Sequence, residues 1–334
     1  MNKPQELQSN LFQKIKDVIP PSSSLVNEVA DALNITIDSA YRRIRGEKSL
    51  DLDEIFILST KFNFSIDEIF GNETKGDYFL CKIIEAKDIG FEHYLKNLHD
   101  SLIQIQSLTN PEILYFAKDI PIFHHFHFDT LAAFKIFFWS KTVMQLPELK
   151  EEKFNFDQVD QNTLDMGRKV LSLYSRIPSA EIWNVETINS AVQQIEYYLT
   201  AGIIENKEVA LKLCDDLDKL IDHIAEQAEE GCKFLQGRDP FYPGNYKLYN
   251  NEVILGDNSI CVTSDHLKMT FMTVNVVNLM VSTEKIFCDK VEQYLRTMMK
   301  KSSLISKDSE KERTRFFNLI HQKVNGTRER IRYI

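Results

Sequence analysis

Apolar residues recur at helical spacing along most of this 334-residue chain. Leu7, Leu11, Phe12, Ile15, Val18 and Ile19 form one stripe over residues 5–19, and Val26, Val29, Ala30 and Leu33 form a second. Ser24 stands at an N-cap position of the second helix, and Asn34 stands where a helix end needs a residue that tolerates left-handed backbone. Thr36 is placed to cap a third helix, with Asp38 in its first turn, favoured by the helix dipole. On that third helix Ile37, Ala40, Tyr41 and Ile44 fall on one arc. Ser39 and Arg42 lie opposite, flanked by Asp38 and Arg43, with Arg45 at the edge. The pattern therefore predicts an apolar arc packed on the preceding helix and a Ser/Arg/Asp/Arg face turned outward.

Further along, GNETKGD at 71–77 is polar and carries two glycines, which predicts a linker at 72–77 between a domain at 1–71 and another at 78–334. In the larger domain the periodicity predicts helices over 91–108, 129–144, 163–177, 186–203, 206–229, 287–299 and 310–322. Strand-like runs stand at 78–84, 111–117, 252–255 and 259–263, and 269–280 fits either strand or helix. Leu213, Leu217, Leu220 and Ile224 repeat as a heptad-like seam, open between packing inside the domain and pairing with a second copy. The fold class expected is mainly α: a small helical domain, then a larger α-rich α+β domain with a small sheet.

The helix pair at 24–46 and its surroundings resemble the Cro/C1-type (lambda-repressor-like, XRE) helix-turn-helix family, over about residues 5–71. The resemblance rests on five elements in order: the leading helix, the pair itself, the loop with Gly46 and Lys48, the helix Leu52 to Phe62, and the phrase Ser65-Ile66-Asp67-Glu68-Ile69-Phe70. It implies a five-helix domain that binds double-stranded DNA, and a transcriptional regulator with a C-terminal sensing or dimerisation part. The residues it assigns to DNA are Ser39 and Arg42 at base edges, Asp38 and Arg43 beside them, and Arg45 and Lys48 toward the backbone. Thr36, at the helix start, and Asn27, near where the family carries a phosphate-contacting glutamine, complete the set. A DNA-targeted enzyme with an unrecognised C-terminal catalytic domain, or an antitoxin-like protein-interaction module, would keep the same N-terminal pattern.

Charge changes this picture in one respect. The net charge of −9 argues against a polyanionic partner, but it is unevenly spread. Residues 1–71 hold 8 Lys/Arg and 11 Asp/Glu, residues 72–295 hold 21 and 34, and residues 296–334 hold 11 and 4. The acidic excess thus sits away from the helix pair, and the basic tail reads as a solvated helix or an auxiliary phosphate contact. No apolar run reaches the length of a membrane span, and the five cysteines show no paired spacing, so a cytoplasmic protein without membrane contact is expected. His124, His125 and His127 in PIFHHFHF would put two rings on one face of a strand, but no further ligand stands at a recognised spacing, so no metal or other cofactor is assigned. With no nucleophile–base spacing, P-loop or HExxH in the chain, the expectation is a non-enzyme: a DNA-binding homodimer answering to a small-molecule or protein effector.

Overall fold

The computed structural model describes residues 3–20, 23–66, 69, 79–81, 90–237, 244–252, 258–274 and 278–334. The chain divides into two compact units, Met1–Tyr78 and Phe79–Ile334. The predicted linker at 72–77 and, from 253 on, the strand-like run at 252–255 lie outside the described residues.

The first unit contains α1 (Lys3–Val18), α2 (Leu25–Leu33), α3 (Ile37–Ile44) and α4 (Leu52–Lys61). Ile66 and Ile69 are helical too, while residues 67, 68 and 70 of the expected fifth helix lie outside the described residues. Leu11, Phe12, Ile15, Val29, Ala30, Ala40, Leu58, Phe64 and Ile69 close a single core. Asn34 ends α2 with φ 50° and ψ 50°, the left-handed turn its amide side chain tolerates. Ser24 precedes α2 with extended backbone, but its side chain makes no capping hydrogen bond. Asp51 and Glu54 form a reciprocal capping box that starts α4.

The second unit is built on one eight-stranded sheet of order β1-β7-β6-β5-β2-β3-β4-β8. Its parallel centre is β2 (Glu112–Phe116), β3 (Ser179–Trp183) and β4 (Tyr246–Asn250). An antiparallel wing of β5 (Ser259–Thr263), β6 (Lys268–Thr273), β7 (Leu279–Ser282) and β1 (Leu80–Cys81) extends one side, and β8 (Ser303–Leu304) closes the other. The ambiguous run at 269–280 is strand as far as Thr273 and again from Leu279, with 275–277 outside the described residues, and the run at 78–84 is strand only at Leu80–Cys81 among its described residues. Alternation along β2 and β3 sends Ile113, Tyr115 and Trp183 to one face and Leu114, Phe116, Ala180 and Ile182 to the other.

The first face carries α5 (Phe91–Gln106), the short α6 (Ile122–His125), α7 (Asp129–Phe138), α8 (Gln161–Tyr174), α9 (Asn189–Thr200), α10 (Lys207–Glu230) and α12 (Glu310–Tyr333). The second is covered by α11 (Lys285–Lys300) through Val291, Leu295, Met298 and Met299. The seam of Leu213, Leu217, Leu220 and Ile224 on α10 is fully buried in the main core with Phe316, Phe317, Ile320 and Val324 of α12. Of the two readings left open for the seam, packing inside the domain is the one found: the neighbour is α12 of the same chain. Its polar margin explains the charge split. Arg328 pairs with Asp215 and Asp218, His321 with Asp218 and Asp222, Arg330 with Glu196, and Lys323 with Glu186. The basic segment thus spends much of its charge on the acidic middle, which counts against a phosphate-binding role for it.

Candidate nucleic-acid interface

The outward face of α3 is set by what its inward face holds. Arg43 is only 4% exposed. Its Nε donates to both oxygens of Glu54 at 3.0 Å, its second terminal nitrogen pairs with the same carboxylate, and Nη1 donates to the Ser39 carbonyl at 3.1 Å. The hydrogen bond with Glu54 outweighs burial and raises the guanidinium pKa further. This corrects the expectation for Arg43: it is tied into the domain at the α3–α4 contact and is unavailable to a base. An ion pair this well formed can enter a small core because the fork of donors matches a carboxylate two atoms at a time.

Taking Arg43 inward turns the helix. Ala40 is buried and Ile44 half-buried, as expected, but Ile37 and Tyr41 are 56% and 45% exposed. The face open to solvent is Ile37, Asp38, Tyr41, Arg42 and Arg45. Ser39, expected at its centre, is half-buried, and its hydroxyl accepts from Thr36 Oγ1 at 3.0 Å. Thr36 caps the helix by accepting from the Ser39 amide. Asn27 is exposed on α2. Arg42 and Arg45 reach Glu47 only at 4.0 and 3.7 Å, with most of each side chain in solvent, and the Arg45 guanidinium lies 5.5 Å from the Tyr41 ring centroid.

Lys48 is held in place by a residue the pattern alone did not single out. Gln8 of α1 donates to the carbonyls of Arg43 at 2.6 Å and Lys48 at 2.8 Å and accepts from the Leu50 amide at 3.1 Å. With Gly46 at φ 74° and the Glu47 and Lys48 amides returning to the Arg42 carbonyl, the loop after α3 is fixed. Gln8 stood in the sequence as a polar gap in an apolar stripe, and nothing local ties it to a loop forty residues on. The structure therefore leaves Asp38, Arg42 and Arg45 exposed on one face of α3 and Lys48 exposed in the loop that follows, leaves Ser39 and Thr36 bonded to each other, and withdraws Arg43.

The second unit holds its polar groups differently. The His124 ring nitrogen Nε2 lies 3.0 and 3.1 Å from the two oxygens of Glu181, which is fully buried. The same carboxylate accepts from Tyr174 at 2.5 Å, Trp183 Nε1 at 2.8 Å and Tyr246 at 3.2 Å. Burial works against its ionisation, but His124, the Tyr174 hydroxyl and Lys233 hold its pKa below the usual value. Lys233 donates to the Tyr174 and Ile177 carbonyls, and burial pushes its pKa down to about 7. Burial lowers both His125 and His127, and the neighbouring Lys135 acts in the same direction on His125. The segment PIFHHFHF forms the short helix α6 and its exit turn, started by Pro121, so the shared face that His125 and His127 would have in a strand does not arise. Its histidines line a packed polar core.

Two adjoining hollows lie beside α12. One, of about 250 Å³, is lined by Asn184 and Glu186 after β3, Asn250 and Glu252 at the end of β4, and Arg315 and Phe316 of α12. The other, of about 420 Å³, runs between α9 and α12, and Val185 and Leu319 line both. In parallel sheets the carboxyl ends of strands are where ligands are commonly received.

No family model matches the chain, and neither a curated protein nor a solved structure does. Among the described residues, no helix is long and apolar enough to cross a membrane.

Proposed function

We propose that this chain is a sequence-specific DNA-binding transcriptional regulator. The observation that supports the reading is the exposed face of α3, which Asp38, Arg42 and Arg45 share, with Lys48 following in a fixed loop. A short helix of this kind offers a carboxylate acceptor and guanidinium donors to base edges while the loop cation meets the phosphate backbone. One such helix covers few bases, so two copies binding paired half-sites is part of the proposal. The hollows at the ends of β3 and β4 favour a sensing role for the second unit, with a small polar effector as ligand. The decisive experiment is selection of bound duplexes from a random pool by the purified full chain. A recurring motif whose affinity falls steeply with salt supports the proposal, and a pool that never converges overturns it.

A further inference from the structure

Ile37 and Tyr41 lie one turn apart and both face solvent, between Asp38, Arg42 and Arg45. Single exposed hydrophobics are ordinary. This pair is different because the helix had an apolar alternative: the core that closes on Ala40 and Ile44 takes in Arg43 and leaves Ile37 and Tyr41 outside. Ile37 is the first helical residue of α3, and side chains in a helix lean toward its N-terminus. It therefore projects from the end that a recognition helix brings deepest into the major groove. Tyr41 stands behind it, its ring in contact with the guanidinium of Arg45.

An isoleucine side chain has no hydrogen-bonding group, so among the features of a base-pair edge it can distinguish only an apolar one. The major groove presents a single such feature, the C5 methyl group of thymine. We propose that Ile37 reads a thymine methyl group, with Tyr41 as the second wall of the contact, so that the bound half-site contains an obligatory thymine beside the bases met by Asp38 and Arg42. This rests on the DNA-binding reading above and adds to it a residue that selects sequence by shape and apolar contact. The cations on the same face supply the complementarity to a duplex that an apolar protein groove would not require.

The probe is the selected duplex with each thymidine replaced in turn by deoxyuridine, which removes the methyl group and leaves every hydrogen-bonding group in place. With the full chain, one or two positions in each half-site should lose about fourfold in affinity, the loss expected for one buried methyl-sized group. With Ile37→Ala that discrimination should vanish, and thymidine and deoxyuridine duplexes should bind alike. Circular dichroism of Ile37→Ala should match the parent, since the side chain is mostly exposed. If a motif is selected but no position distinguishes thymidine from deoxyuridine, or if the distinction survives in Ile37→Ala, this inference is overturned and DNA binding stands. If no motif is selected, both fall together, and the Ile37–Tyr41 face is left as a contact for another protein.

Discussion

Each unit is tied across its elements by a carboxylate, Glu54 in the first and Glu181 in the second, and the two are satisfied in different ways. Glu54 sits near the rim, keeps 14% of its side chain exposed, and faces a guanidinium whose charge is permanent. Glu181 is fully buried and takes its hydrogen bonds from a histidine, two tyrosines and a tryptophan, with Lys233 nearby. The rim pair fixes the orientation of a helix, because losing it leaves the eight residues of α3 with only Ala40 fully buried. The buried cluster fixes the registry of a core, joining α6, α8, β3 and β4 at one point. The Arg43 guanidinium keeps its charge over the ordinary pH range, whereas Glu181 and Lys233 of the buried network titrate.

The largest test of this contrast is removal of the deeper carboxylate. Glu181→Ala strands three or four buried donors and should cost about 3–5 kcal/mol, read from the urea midpoint by tryptophan fluorescence. Both tryptophans, Trp139 and Trp183, belong to the second unit, so this signal reports on that unit alone. A midpoint within error of the parent would refute the role given to Glu181. Next in size, Arg43→Ala should destabilise the first unit by about 2 kcal/mol, below the value for a fully enclosed pair because Glu54 keeps some solvent. Arg43→Met should recover much of this by filling the same space. If Arg43→Met is folded yet loses operator preference as Arg42→Ala does, then Arg43 touches DNA after all and the burial argument fails.

The third test is pH. His125, His127 and His223 have folded pKa values below their ordinary one, chiefly through burial, so below about 6.5 the unfolded chain binds protons that the folded second unit refuses. The histidines' contribution to stability is then full above that pH and lost as the pH falls, by up to about 1.4 kcal/mol per unit for each such proton. Glu181, also depressed, contributes a further loss below about 4.5. Lys233 has the same sign at higher pH: with its pKa lowered from 10.5 to about 7, stability rises across that interval. Tryptophan-detected melting should therefore move to lower temperature between pH 7 and pH 5, and a flat profile would contradict the buried neutral histidines. Smallest of all, Arg42→Ala should change stability by under about 0.5 kcal/mol, because its side chain is mostly in solvent. In operator binding it should lose about 1–3 kcal/mol. A large stability change there would mean that the face assignment is wrong.

Periodicity was informative wherever the deciding interaction was local. Asn34, Thr36 and the run Glu112–Phe116 act through their own neighbourhood, and they stand where the pattern places them. It misjudged the inward arc of α3 because Arg43 was weighed as a surface cation, and the partner that makes it a core residue is eleven positions away on another helix. Strand β3 escaped for a related reason: Ser-Ala-Glu-Ile-Trp is short and carries a carboxylate where a buried strand is not expected to, until four side chains from α6, α8, β3 and β4 converge on it. The Leu213–Ile224 seam was visible, but the pattern reads the same for an internal neighbour as for a second copy.

The internal neighbour of that seam has a consequence for synthesis. Helix α10 ends at Glu230 and α12 begins at Glu310, so the ribosome must add residues 231–309 before any of the covering helix exists. At about 5–20 residues per second, that leaves Leu213, Leu217, Leu220 and Ile224 without their α12 neighbours for roughly 4–16 s. Throughout that interval Asp215, Asp218 and Asp222 also lack the cations that later neutralise them. Carboxylates beside an apolar stripe are the kind of charged flank that opposes pairing of like chains, so the same residues that later anchor α12 border the stripe before it arrives.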